Sequence, residues 1–167
     1  MSPEIVNRVA ESGIEQIDLK NFLGNELWKG IDLKDQLWNE SVLREKEFRA
    51  WVSGHDWKAY DENCVHLFCS ADAIVPSWAW MLVTSQLQRA KAVFFGTLAE
   101  ARKEFFFSNL SGWDVNHFKD KIVMVKGCSD IPDPDRAYVL VTKKLQPVVK
   151  SLMFGEPCSA VPVYKRK

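Results

Sequence analysis

Two stretches of this chain match each other at a fixed distance, and that match limits what it can fold into. Pro76-x-x-Ala79-Trp80-Met81-Leu82-Val83-Thr84-x-x-Leu87-Gln88 recurs as Pro134-x-x-Ala137-Tyr138-Val139-Leu140-Val141-Thr142-x-x-Leu145-Gln146, 58 residues later. Lys91-Ala92-Val93-Phe94-Phe95-Gly96 recurs as Lys150-Ser151-Leu152-Met153-Phe154-Gly155, and Cys69-Ser70 as Cys128-Ser129, both at 59. Three blocks in the same order imply an internal duplication. Each copy holds a short apolar run, then a helix-like segment, then a second apolar run. Short apolar runs bounded by turn residues are buried strands.

The copies settle one ambiguity. A helix continued from residue 135 to 154 would have to contain Pro147, which lacks an N–H and clashes with the preceding turn. The first copy reads as helix then strand, so the second helix is expected to stop near Gln146, with a strand over Val149–Phe154. Thr97 and Glu100 have capping-box spacing and start a helix over 98–110 that joins the halves. The fold class expected is α/β, a mainly parallel sheet from two pseudo-repeated β-α-β halves. Counting from the strand at 64–69, the expected order is 2-1-3-4. Right-handed crossovers make such a sheet.

Residues 1–60 are expected to form an α-rich N-terminal appendage packed on a duplicated core at 61–167, one compact domain overall. An amphipathic helix is read at 42–53, from Leu43, Phe48, Trp51 and Val52, stopped by Ser53-Gly54. Ile17-Asp18-Leu19-Lys20 recurs as Ile31-Asp32-Leu33-Lys34, too short by itself to mark a repeat. Trp28, Trp38, Trp78 and Trp80 are read as packing residues, with an interface as the alternative for the last two.

Composition narrows the function classes. The 167 residues carry 22 basic and 22 acidic side chains, so no global field draws nucleic acid or an acidic membrane. No apolar run approaches the roughly 20 residues of a membrane span. Met1-Ser2-Pro3-Glu4-Ile5 does not resemble a secretory leader, so the cytoplasm is expected. There the four cysteines are expected to be reduced. No Gly-rich phosphate loop, nucleophile elbow or H-E-x-x-H occurs.

In the expected sheet Cys69 and Cys128 end adjacent central strands, and Cys158 follows the strand beside them. The crevice outside the strand carboxyl ends is the usual binding site of such sheets. Cys69, Cys128 and Cys158 are therefore candidate metal ligands, with Asp72, Asp130 or Glu156 as a fourth and Ser70 and Ser129 in support. Thiolates suit zinc or an iron–sulfur cluster. A thiol enzyme or sulfur carrier is the alternative, with Cys128 as the reacting group and Asp130 or His66 assisting. A non-catalytic interaction module with structural cysteines is the third. Cys64, in an apolar strand, is read as a small buried hydrophobe. His55 and His117 are read as surface loop residues.

Several segments together carry a family resemblance. They are Leu43-Arg44-Glu45-Lys46-Glu47-Phe48-Arg49, Cys69-Ser70-Ala71-Asp72-Ala73-Ile74-Val75-Pro76, Gly127-Cys128-Ser129, and Leu145-Gln146-Pro147 through Gly155-Glu156-Pro157-Cys158. On these the chain resembles an uncharacterised bacterial family, domain of unknown function 2480, over nearly its whole length. The resemblance implies a role in iron–sulfur cluster or sulfur handling, with iron–sulfur assembly proteins as partners.

Overall fold

The computed structural model describes residues 13–157 and 159–167. The elements in chain order are strands β1 Ile14–Ile17, β2 Trp28–Asp32, β3 Leu37–Trp38 and β4 Val42–Leu43, helix α1 Glu45–Gly54, β5 Cys64–Phe68, α2 Ser77–Gln86, β6 Ala92–Phe95, α3 Leu98–Gly112, β7 Ile122–Val125, α4 Pro134–Leu145, β8 Ser151–Phe154 and β9 Val161–Lys165. The protein is a mixed α/β chain with mainly parallel sheets. It forms two compact units. A continuous unit spans Asn25–Glu104; a split unit takes the described residues through Gly24 together with Phe105–Lys167.

In the continuous unit the sheet runs β2-β5-β6, all parallel, with Ile31 opposite Leu67 and Leu67 opposite Phe95. Its core gathers Ile31, Leu33 and Val65 with Phe48 and Val52 of α1 and Ala79 and Val83 of α2. Phe48 is fully buried, its ring 5.3 Å from that of Trp51 and 5.7 Å from that of Trp78. β3 and β4 form a separate antiparallel hairpin. His66 is buried on the sheet; its Nδ1 lies 3.1 Å from the Gly96 carbonyl and its ring stacks on Phe68 at 5.0 Å. Gly30, its register partner, leaves room for that ring: a Cβ there would fall 2.7 Å from His66 Nε2.

In the split unit the order is β1-β7-β8-β9, parallel except for β9, which runs antiparallel to β8. Leu19, Phe106, Leu110, Val123, Val141, Leu145 and Leu152 form its core. α4 begins with Pro134 in its first turn and ends at Leu145, two residues before Pro147, as the second copy's proline required. β8 and β6 are each followed by a glycine at positive φ, Gly155 at 112° and Gly96 at 110°. Their N–H groups donate to Val125 (2.9 Å) and Leu67 (2.8 Å). A side chain would be strained at either position.

The expected order 2-1-3-4 is not the one formed. It required the strand at 64–69 beside the strand at 122–126. Instead β5 lies between β2 and β6, and β7 between β1 and β8. The cause is the N-terminal region. The expected α-rich appendage over 1–60 supplies, among its described residues, the first strand of each sheet, a hairpin and one α-helix. Ile14–Ile17 and Trp28–Asp32 occupy the edges that β7 and β5 were expected to offer each other. The helix boundaries fared better. α1 starts at Glu45 rather than 42, and Thr97 and Glu100 close both halves of the capping box: Thr97 N–H and Oγ1 donate to Glu100 Oε2 at 2.8 and 2.7 Å, and Glu100 N–H donates to Thr97 Oγ1 at 3.4 Å. Among the described residues no helix is long and apolar enough to cross a membrane.

Candidate functional site

The carboxyl ends of parallel strands collect the loops of each unit, and both loops that carry a Cys-Ser pair lie there. In the continuous unit Asp32 ends β2 and Cys69-Ser70 follows β5. Asp32 Oδ1 accepts the N–H groups of Lys34 (2.9 Å) and Ser70 (3.0 Å), and Oδ2 accepts the Ser70 hydroxyl at 2.5 Å. Burial pushes the Asp32 carboxyl up, but the Ser70 hydroxyl, the Lys34 N–H and the Ser70 N–H together outweigh it and hold the group below its ordinary value. Cys69 is half-buried, its Sγ 3.7 Å from the Ala71 carbonyl oxygen; Asp72 is exposed. This edge is tied shut by its own residues.

The split unit's edge is open. A polar cavity of about 260 Å³ lies there. Asp18 and Lys20 reach it from the turn after β1, Lys126 to Asp130 from the loop after β7, and Glu156 from the loop after β8. Lys20 Nζ donates to Asp130 Oδ2 at 2.8 Å. That hydrogen bond, the attraction of Asp130 and then of the Cys128 sulfur raise Lys20 above its ordinary value, while Lys20 holds Asp130 below its own. Both side chains are well exposed, so water screens the pair and it adds little stability. Ser129 Oγ donates to Asp130 Oδ1 at 3.4 Å.

Tyr138 of α4 sets the Cys128 loop. Its hydroxyl accepts the Cys128 N–H at 2.6 Å and faces the carbonyl oxygens of Cys128 (3.1 Å) and Lys126 (3.3 Å) as donor. Burial raises the phenol above its ordinary value. Its ring meets Phe154 edge-on at 5.1 Å, and it also lines an apolar cavity of about 210 Å³ with Val141, Leu152 and Val163.

The expected site residues therefore divide. Cys128, Ser129, Asp130 and Glu156 come together; Cys69, Ser70 and Asp72 belong to the other sheet's edge. Cys158 lies outside the described residues. The strand adjacency expected to join Cys69 with Cys128 is absent, because β5 and β7 belong to different sheets. Among the described residues no group of three or more His, Cys, Asp and Glu is arranged to hold a metal ion. His66, considered as an aid to Cys128, is buried in the continuous unit. His55 lies in the bend after α1 and is half-buried. It packs against Trp51, Trp57 and Tyr60 and lies 3.2 Å from the Tyr60 hydroxyl.

Sequence reasoning missed Asp18, Lys20, Lys126 and Tyr138. The signal for the first two was the recurrence of Ile17-Asp18-Leu19-Lys20 as Ile31-Asp32-Leu33-Lys34, which marks the ends of β1 and β2. Among known proteins, a family model described as Protein of unknown function (DUF2480) matches residues 3–166. No curated protein and no solved structure matches the chain.

Proposed function

The chain belongs to that family, and we propose that its function resides in the split unit's polar cavity, as a thiol-dependent site in which Cys128 is the reacting or sulfur-carrying group. One observation carries this reading: the half-buried Cys128 lines an open polar cavity together with the Lys20 ammonium. The thiolate is the nucleophilic form of a cysteine, and an ammonium in the same cavity supplies a charge to pair with it. Asp130 and Ser129 position Lys20, and Tyr138 fixes the loop that presents the sulfur.

A second reading keeps a zinc or iron–sulfur centre, with iron–sulfur assembly proteins as partners. Glu156 favours it, because it lines the cavity with Cys128 and stands two residues before Cys158 in the sequence. A mixed thiolate and carboxylate set suits zinc better than a cluster.

The internal duplication belongs to the same proposal. Each unit orders its first strand, central strand and following strand alike, and Tyr138–Phe154 and Trp80–Phe95 both pack edge-on at 5.1 Å. We read the units as two copies of one frame, of which the split copy became the working site.

Two measurements on anaerobically purified protein test the readings: metal content, and the rate at which iodoacetamide modifies Cys128. The thiol reading expects Lys20→Met to slow that modification several-fold. Unchanged kinetics in Lys20→Met would overturn it. Stoichiometric zinc or iron, lost in Cys128→Ser, would replace it with the second reading.

A further inference from the structure

The two units treat one carboxylate in opposite ways. Asp18 follows β1 and Asp32 ends β2, and each carboxylate accepts the N–H of the residue two places on, Lys20 at 3.0 Å and Lys34 at 2.9 Å. Strand register then fixes what stands opposite. Ile31 pairs with Leu67 and Ile17 with Val125, and the third residue past each partner is Ser70 or Cys128. Ser70 turns back onto Asp32 with both its N–H and its hydroxyl. Cys128 does not reach Asp18. Its N–H is taken by Tyr138. Trp80 holds Tyr138's place in the continuous unit, and an indole has no acceptor to offer. The tyrosine therefore draws the loop from Asp18 and leaves the cavity open. Among the described residues, the Asp18 carboxylate accepts a hydrogen bond only from the Lys20 N–H.

The filled copy shows what the open one is shaped to take. Ser70 offers Asp32 an N–H and an O–H carried on adjacent carbons, one to each carboxylate oxygen. We propose that the split unit's cavity binds a 1,2-amino alcohol, whose amine and neighbouring hydroxyl take on Asp18 the places that Ser70 takes on Asp32. The inference rests on the cavity assigned above as the Cys128 site. Charge favours the ammonium form. Lys20 and Asp130 neutralise each other, which leaves Asp18 and Glu156 against Lys126. At about 260 Å³ the cavity falls below the roughly 300–1,000 Å³ of sites for drug-sized ligands, so it admits a small molecule or the end of a larger one. Two sources share this chemistry: a free amino alcohol of the ethanolamine type, and the amino-terminal serine or threonine of a peptide.

Calorimetric titration of the full chain with ethanolamine and with the tripeptide Ser-Gly-Gly tests the proposal. Propylamine, ethylene glycol and Gly-Gly-Gly are the controls that lack one donor. The amino alcohols are expected to bind about tenfold or more tightly than their controls, a difference of about 1.4 kcal/mol. Preference for ethanolamine assigns a free ligand, and preference for Ser-Gly-Gly a peptide end. Asp18→Asn, which keeps an oxygen for the Lys20 N–H, is expected to lose that discrimination. Tyr138→Phe, which frees the Cys128 N–H to turn onto Asp18, is expected to weaken binding while the protein stays folded. Failure of both ethanolamine and Ser-Gly-Gly to bind more tightly than their controls, or undiminished discrimination by Asp18→Asn, overturns the proposal. Such a failure leaves the thiol reading standing, because the alkylation rate is measured without ligand.

Discussion

Removing the same carboxylate from each unit should have unequal effects. Asp32→Ala deletes three hydrogen bonds, from the Lys34 N–H, the Ser70 N–H and the Ser70 hydroxyl. Asp18→Ala deletes one described bond, from the Lys20 N–H. A hydrogen bond to a charged group contributes about 1.5–3 kcal/mol when shielded, and about 1 kcal/mol is reasonable for these partly solvated ones. The expected losses are about 3 kcal/mol for Asp32→Ala and about 1 kcal/mol for Asp18→Ala. Each unit has its own core, so each needs its own probe. Native-state hydrogen exchange of the Val65 and Val123 amides, central in β5 and β7, supplies them. Protection at Val65 in Asp32→Ala should fall by about 2 kcal/mol more than protection at Val123 in Asp18→Ala, roughly thirtyfold in exchange rate. Equal losses, or a larger loss for Asp18→Ala, would refute the claim that one edge is closed and the other open.

Other outcomes follow from the same geometry. Because Asp32 titrates below its ordinary value when folded, its contribution is present above the usual carboxylate range and is lost as pH falls through the lowered value. The difference in Val65 protection between wild type and Asp32→Ala should therefore be full at about pH 6 and shrink below about pH 4. Gly30→Ala should cost about 1–3 kcal/mol, since the new methyl meets His66 and Phe68 and the imidazole is held by Gly96. A thermal melt reads this, and His66→Ala in the same chain should relieve most of it. Cys64 is fully buried and burial pushes its thiol up, so peptide mass spectrometry should find it unmodified by iodoacetamide until denaturant is added.

Much of the fold could be read from residue chemistry. The apolar runs Cys64–Phe68 and Ile122–Val125 became central strands, Pro147 stopped α4, and Thr97 with Glu100 opened α3. These signals are local, so tertiary context did not override them. The first strands were hidden. Glu15 and Gln16 interrupt β1, and Lys29 and Gly30 interrupt β2, because edge strands need bury only part of one face. Ile14, Ile17 and Leu19 allow a short strand or a turn, and without β1 and β2 as sheet edges the other four strands were expected in one sheet. β9 was hidden by Pro162, which an edge strand tolerates at its register shift from β8. Half of the candidate site was legible: Cys128, Ser129, Asp130 and Glu156 lie after apolar runs. Asp18 and Lys20 come from a segment more than 100 residues away, and only the closed strand pairing shows their place. Tyr138 appeared in the sequence as a conservative partner of Trp80. Its hydroxyl, the one atom that matters here, acts only through the Cys128 backbone.

The relative rate at which iodoacetamide modifies Cys128 and Cys69 in one native molecule tests the central claim most directly. Both follow a central strand, and both are half-buried. The account predicts that Cys128, in its open cavity beside Lys20, reacts about tenfold or more faster. Cys69 reacting as fast as Cys128 or faster would contradict it.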